Sequence, residues 1–108
     1  MRKVWYKVAE LEDIPVGAGI PIILGERNYC AVFRSESDAV YASTSLCPHQ
    51  NEPLDQGHIE GNEVICRRHH LRFDLKTGNC TNAGGYSLQK YDCRVEFGEV
   101  FVAVWEDE

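Results

Sequence analysis

The sequence predicts an all-β fold, an antiparallel sandwich or barrel, on three grounds. Short runs rich in β-branched and aromatic residues recur at intervals of about ten residues, separated by turn-forming residues. Towards the C-terminal end Tyr91, Cys93, Val95 and Phe97 fall on every second residue, as do Val100, Val102 and Val104 opposite Phe101, Ala103 and Trp105. Helical spacing is confined to residues 10–14, where Leu11 and Ile14 are three apart, a single turn and too short to organise a fold.

From the N-terminus, strands are expected at 4–8 around Trp5 and Tyr6, at 19–24 through Ile20, Ile22 and Ile23, at 30–34 through Val32 and Phe33, and at 40–44 through Val40 and Tyr41. Short strands follow at 58–60, 63–66 and 72–74, and longer ones at 88–96 and 99–105. Gly61-Asn62 joins one pair and Phe97-Gly98 another, positions where a tight hairpin needs a residue tolerant of positive φ. The alternation places Cys93 on an inward-facing position. No repeat, linker or low-complexity tract interrupts the chain, and the acidic end Glu106-Asp107-Glu108 is expected to fray.

A length of 108 residues suits one domain spanning 1–108, which at this size buries only about 65% of its unfolded surface and has little room for a deep substrate cavity. A carrier or binding module is favoured over an enzyme. The net charge of -6 disfavours a nucleic-acid partner, whose phosphates want a basic surface, and suits protein partners with basic docking faces. The strongly apolar stretch at 20–24 is far short of the roughly 20 residues of a spanning helix, and the first residues contain no signal-peptide core, so a cytoplasmic protein off the membrane is expected. Five cysteines, an odd number without a secretory pattern, point to metal binding or plain burial rather than a disulfide framework.

Their spacing separates the two. Cys47-Pro48-His49 is followed, after sixteen intervening residues, by Cys66-Arg67-Arg68-His69, each segment pairing a soft thiolate with an imidazole just after an apolar strand. Two sulfur and two nitrogen donors suit either tetrahedral zinc or a [2Fe-2S] cluster with both thiolates on one iron and both imidazoles on the other. Structural zinc sites usually pair cysteine with cysteine and histidine with histidine, whereas each loop here mixes the two, which favours the cluster.

C-x-H followed by C-x-x-H, with Phe73-Asp74-x-x-Thr77-Gly78 beyond, resembles the Rieske [2Fe-2S] signature over about residues 43–78, and the flanking strands resemble the base of that fold. The resemblance implies a β-sandwich or barrel base carrying a cluster-binding part of two ligand loops, one [2Fe-2S] cluster per chain, and Cys47, His49, Cys66 and His69 as its ligands. His70 competes with His69, but the family's interval to Phe-Asp favours His69. His58 lacks a cysteine at ligand spacing and reads as a solvated histidine, while Cys30, Cys80 and Cys93 read as structural thiols.

With two ferric ions, two sulfides and two thiolates the cluster is neutral when oxidised, so neutral imidazoles in place of two further thiolates raise the potential into the Rieske range of about -150 to +300 mV. High-potential members, such as those of cytochrome bc complexes, add a disulfide and hydroxyls that bond the sulfurs. Here Glu52, Arg68 and Leu71 stand in the corresponding places, so a potential near the bottom of the range is expected. Arg67, Arg68 and Arg72 form an island of positive charge suited to tuning the cluster and to docking. Cys47-Pro48-His49-Gln50 with Arg67 is more similar to ferredoxins of aromatic monooxygenases than to those of ring-hydroxylating dioxygenases. Either resemblance implies a monomeric one-electron shuttle between a flavin reductase oxidising a nicotinamide cofactor and a terminal oxygenase. The rivals are the small Rieske-like subunit of a nitrite reductase and a zinc-stabilised binding module; a catalytic Rieske oxygenase would need a second domain with its own iron site.

Overall fold

The structure, a computed structural model, describes residues 1–24, 28–48, 52–67 and 70–106. Nine strands are found among them: β1 (Arg2–Glu10), β2 (Ala18–Leu24), β3 (Asn28–Arg34), β4 (Val40–Thr44), β5 (His58–Glu60), β6 (Glu63–Ile65), β7 (Arg72–Asp74), β8 (Lys90–Glu96) and β9 (Glu99–Glu106). They correspond one for one to the runs expected from the sequence. The helical turn is a 3-10 turn at Leu11–Asp13, tied down by the Arg34 guanidinium, which donates to the carbonyls of Leu11 (3.2 Å) and Ile14 (2.9 Å).

Six strands form one antiparallel sheet in the order β1-β9-β8-β4-β3-β2, and β5-β6-β7 form a second. One apolar core gathers Ile20, Ile22 and Leu24 from β2, Cys30 and Val32 from β3 and Ala42 from β4 with Val100, Val102 and Val104 from β9, so the large sheet curls until its two halves face each other. A second core gathers Ala31 and Phe33 from β3 with Leu54, Ile59, Val64, Phe73, Leu75 and Leu88. Strand β3 therefore packs on both faces. Its run from Cys30 to Phe33 is wholly buried, which explains why it is apolar throughout instead of alternating.

Both hairpin dipeptides turn as expected. Phe97 and Gly98 take φ of 51° and 76°, the pair of left-handed residues that a type I′ turn requires, and Gly61 takes 59°. The inward alternation of β8 holds only in part. Tyr91 and Cys93 pack on the core, but Val95 is exposed and Phe97 stands fully in solvent. The reason is that β8 pairs with β4 only at Tyr91 and Lys90 and continues with β9 alone, so its far end has no opposing layer. Glu106 does not fray: it pairs with Arg2 at the end of β9 and accepts the Tyr6 hydroxyl, whereas 107 and 108 lie outside the described residues.

Gly57 marks where the two layers of the site meet. A Cβ there would stand 2.4 Å from the Ile65 carbonyl oxygen and 3.0 Å from that of Leu54, and both obstacles are backbone. We expect Gly57→Ala to force β6 away from the preceding loop and lower stability by about 1–3 kcal/mol, the usual range for overpacking, measured by urea unfolding. Cys93 supplies a second test. Burial pushes its thiol up to about 11, so little thiolate is present at pH 8 and alkylation of the folded protein should be at least about tenfold slower there than for an unhindered cysteine, as read by peptide mass spectrometry.

Candidate metal centre

The first ligand loop leaves β4 and returns to the 3-10 turn Leu54–Gln56. Its neck is closed by backbone bonds: the Cys47 N–H donates to the Glu52 carbonyl (2.9 Å), the Leu54 N–H to Ser45 (2.9 Å), and Leu46 bridges Pro53. Pro48 begins the tip, and its restricted φ suits a chain that turns rather than continuing the strand. Cys47 lies at the neck with no solvent exposure.

The second loop caps the hairpin of β6 and β7. The Cys66 N–H donates to the Leu71 carbonyl (2.8 Å) and the His70 N–H to that of Cys66 (2.9 Å), so backbone bonds hold Cys66 against His70 and Leu71 at the neck. His70 takes a positive φ of 57°, in the left-handed region that histidine tolerates better than most side chains. Cys66 is 1% exposed, and it and Cys47 belong to the same buried cluster, beside Leu54, Val64 and Phe73. No disulfide joins any two of the five cysteines, all of which are among the described residues.

Of the four expected ligands, the structure brings Cys47 and Cys66 into one apolar cluster; His49 and His69 lie outside the described residues. The sulfur half of the donor set fits a metal group. Two cysteine sulfurs buried in one apolar cluster are soft donors that iron would take, and the metal's positive charge would balance that of bound thiolates. Cys30, by contrast, is fully buried in the other core with its thiol pushed up by burial, and Cys80 and Cys93 are half-buried, in keeping with structural roles. His58 is exposed and lies 3.7 Å from Glu60.

Two arginines of the expected cationic island are paired with acids of the chain itself. Arg67 stands 3.4 Å from Glu52, joining the second loop to the first. Arg72 reaches Glu60 (2.8 Å) and Glu63 (3.2 Å), and its pKa is raised first by Glu60 and then by Glu63. The island is thus largely compensated at these two positions; Arg68 lies outside the described residues. Sequence reasoning did not find these partners, nor Gly57, nor Asn82. Asn82 donates to the His70 carbonyl (2.9 Å) and accepts from the Arg72 N–H (3.0 Å).

The family model described as Rieske [2Fe-2S] domain matches residues 4–92. A ferredoxin component of naphthalene 1,2-dioxygenase/salicylate 5-hydroxylase systems from Ralstonia sp is 34% identical over 83 residues, 75% of this chain and 78% of its own. Among solved structures, a chain in the complex of reduced oxygenase and oxidized ferredoxin of carbazole 1,9a-dioxygenase superposes with a TM-score of 0.83 at 27% identity, covering 92% of each. A structure described as an NADH-dependent nitrite reductase small subunit from Mycobacterium tuberculosis superposes with a TM-score of 0.89 over 99% of this chain and 100% of its own, but at 21% identity that likeness shows the fold alone. A family match across most of the chain, over a curled antiparallel sheet that carries two buried cysteines at the necks of adjacent loops, leads to one conclusion: the chain belongs to the Rieske [2Fe-2S] domain family and its cofactor is one such cluster.

Proposed function

We propose that this chain is the one-electron carrier of a multicomponent oxygenase system, loaded by a flavin-dependent NAD(P)H reductase and discharging to a terminal oxygenase, and that Cys47, His49, Cys66 and His69 hold its cluster. The observation that carries the reading is the burial of Cys47 and Cys66 in one apolar cluster at the necks of two closed loops. The relative from Ralstonia is named a ferredoxin component, and the matched carbazole structure is of a ferredoxin with its oxygenase, which supports both the carrier role and the oxygenase partner. The Ralstonia protein's name pairs a dioxygenase with a hydroxylase system, so it does not choose between a dioxygenase and a monooxygenase partner.

When bound, the cluster accepts and returns a single electron without forming or breaking bonds to a substrate. The chain's own part is to hold two thiolates in place, keep water from the sulfur side and set the local field. Its backbone donors bear on the potential. The N–H groups of Cys47, Cys66 and His70 are all committed to carbonyls within their own loops, so these three donors do not stabilise added negative charge on sulfur. The pairing of Arg67 and Arg72 with acids weakens their Coulomb help as well. Both features support a low potential.

The whole of 1–108 is read as one domain with its cluster-binding part at about 43–78, a reading supported by β3, which belongs to both cores. A monomeric cytoplasmic carrier belongs to the same proposal; among the described residues no helix is long and apolar enough to cross a membrane. A nitrite reductase subunit is the second reading, since the Mycobacterium structure so described shares this fold. Reconstitution separates them: electron flow from NADH through this chain to an oxygenase supports the first, and activation of a nitrite reductase instead would overturn it.

Purified protein should hold two irons and two acid-labile sulfides per chain, as the cluster's formula requires. Cys47→Ser, His49→Ala, Cys66→Ser and His69→Ala should each abolish the visible absorption, whereas His58→Ala and His70→Ala should keep it. Loss of the cluster in His70→Ala with retention in His69→Ala would reassign the fourth ligand. Voltammetry should place the midpoint near the foot of the Rieske range, at about -150 mV.

A further inference from the structure

We infer that Asn82 is a positioning residue for the second ligand loop, a role resting on the assignment of Cys66 and His69 as ligands. Asn82 lies in the segment after β7, outside both ligand loops, and that segment runs alongside the small sheet. Cys80 bridges Phe73, the Thr81 N–H donates to the Arg72 carbonyl (2.8 Å), and the Thr81 hydroxyl reaches Glu63 (2.8 Å). This registration brings residue 82 level with the point where the ligand loop rejoins β7.

A carboxamide is the side-chain group that offers a donor and an acceptor from one planar terminus. Asn82 uses both on backbone groups either side of Leu71. Its Nδ2 donates to the His70 carbonyl at 2.9 Å and its Oδ1 accepts the Arg72 N–H at 3.0 Å, with the Cys80 thiol also donating to Oδ1 at 3.4 Å. Leu71 itself closes the loop by accepting from the Cys66 N–H at 2.8 Å. The bracket therefore clamps the closure that holds Cys66, and it holds the carbonyl of His70, whose φ of 57° is disfavoured for a side chain with a Cβ and needs support from its surroundings. Without the bracket, the chain between Cys66 and Arg72 keeps its two internal bonds but loses these two hydrogen bonds to the segment beyond β7.

A side chain that merely fills space would be replaced without consequence by leucine, which has a similar shape and no polar atoms. One that positions the loop would not. The test uses the full chain with its cluster and compares Asn82→Ala, Asn82→Leu and Asn82→Asp with Lys76→Ala, a substitution at an exposed turn residue, as control. Aspartate keeps the acceptor for Arg72 and sets a carboxylate against the His70 carbonyl, so it breaks half the bracket.

In hydrogen-exchange mass spectrometry of residues 63–72, all three Asn82 variants should exchange about three to ten times faster than the unmodified protein, in line with the net worth of one or two exposed hydrogen bonds, and Lys76→Ala should not. The half-life of the visible absorption under a chelator should shorten by a similar factor, and the electron paramagnetic resonance spectrum of the reduced protein should shift. Exchange within twofold of the unmodified protein in Asn82→Leu, with cluster lifetime unchanged, would overturn the inference. If the unmodified protein holds no cluster, the ligand assignment falls by that observation alone, while the exchange comparison still decides what Asn82 does. If the alanine variant fails to fold, the aspartate variant, which retains one of the two bonds, decides it.

Discussion

Burial of β3 on both faces is the constraint on which the rest of the molecule depends. Cys30 and Val32 close the core of the curled sheet, and Ala31 and Phe33 close the core beneath the ligand loops. A strand in that position has no polar face to offer water, so its register against β2 and β4 is strongly specified: a slip of one residue would exchange the two cores' side chains. The base thereby fixes where the loop-bearing half sits. Close packing transmits that placement, since the side chains of Phe33 and Phe73 leave no exposed surface through which the halves could shift.

On this footing, each ligand loop is held by the same local device, a backbone bond across its neck from the cysteine N–H to a carbonyl five residues on, Glu52 for Cys47 and Leu71 for Cys66. The device does two things at once. It orients a thiol into the apolar cluster, and it consumes a donor that could otherwise stabilise a more negative group. Rigidity at the necks and the proposed low potential would therefore share one set of hydrogen bonds. The contacts between loops are of a different kind. Gly57 lets the end of the first loop approach β6, Arg67 pairs with Glu52 across the gap, and Asn82 ties the second loop to the segment beyond β7.

The charge pattern changes meaning for the same reason. Along the chain, Arg67 and Arg72 stand beside a ligand motif in an acidic protein and read as a patch for docking. In space, their partners come from residues 52, 60 and 63, and the acids that make up the excess negative charge are in part spent on these pairs. An exposed ion pair contributes little to stability, usually under about 1 kcal/mol, so its effect here lies in the direction of side chains and the local field.

What the sequence by itself determined is what depends on near neighbours. Alternation along 99–105 set β9, the dipeptides Gly61-Asn62 and Phe97-Gly98 set two hairpins, and the mixed C-x-H and C-x-x-H spacing pointed to the [2Fe-2S] cofactor, because side-chain period, backbone tolerance and motif spacing are all properties of a few consecutive residues. Only the tertiary structure decided which alternating positions meet a second layer, so that Cys93 is covered and Val95 is not. It alone decided that Gly57 abuts Ile65, that Glu52 faces Arg67, and that Asn82 spans Leu71. Those pairs are separated by eight to fifteen residues and meet only in the folded chain, and no local period or propensity encodes a distance of that kind.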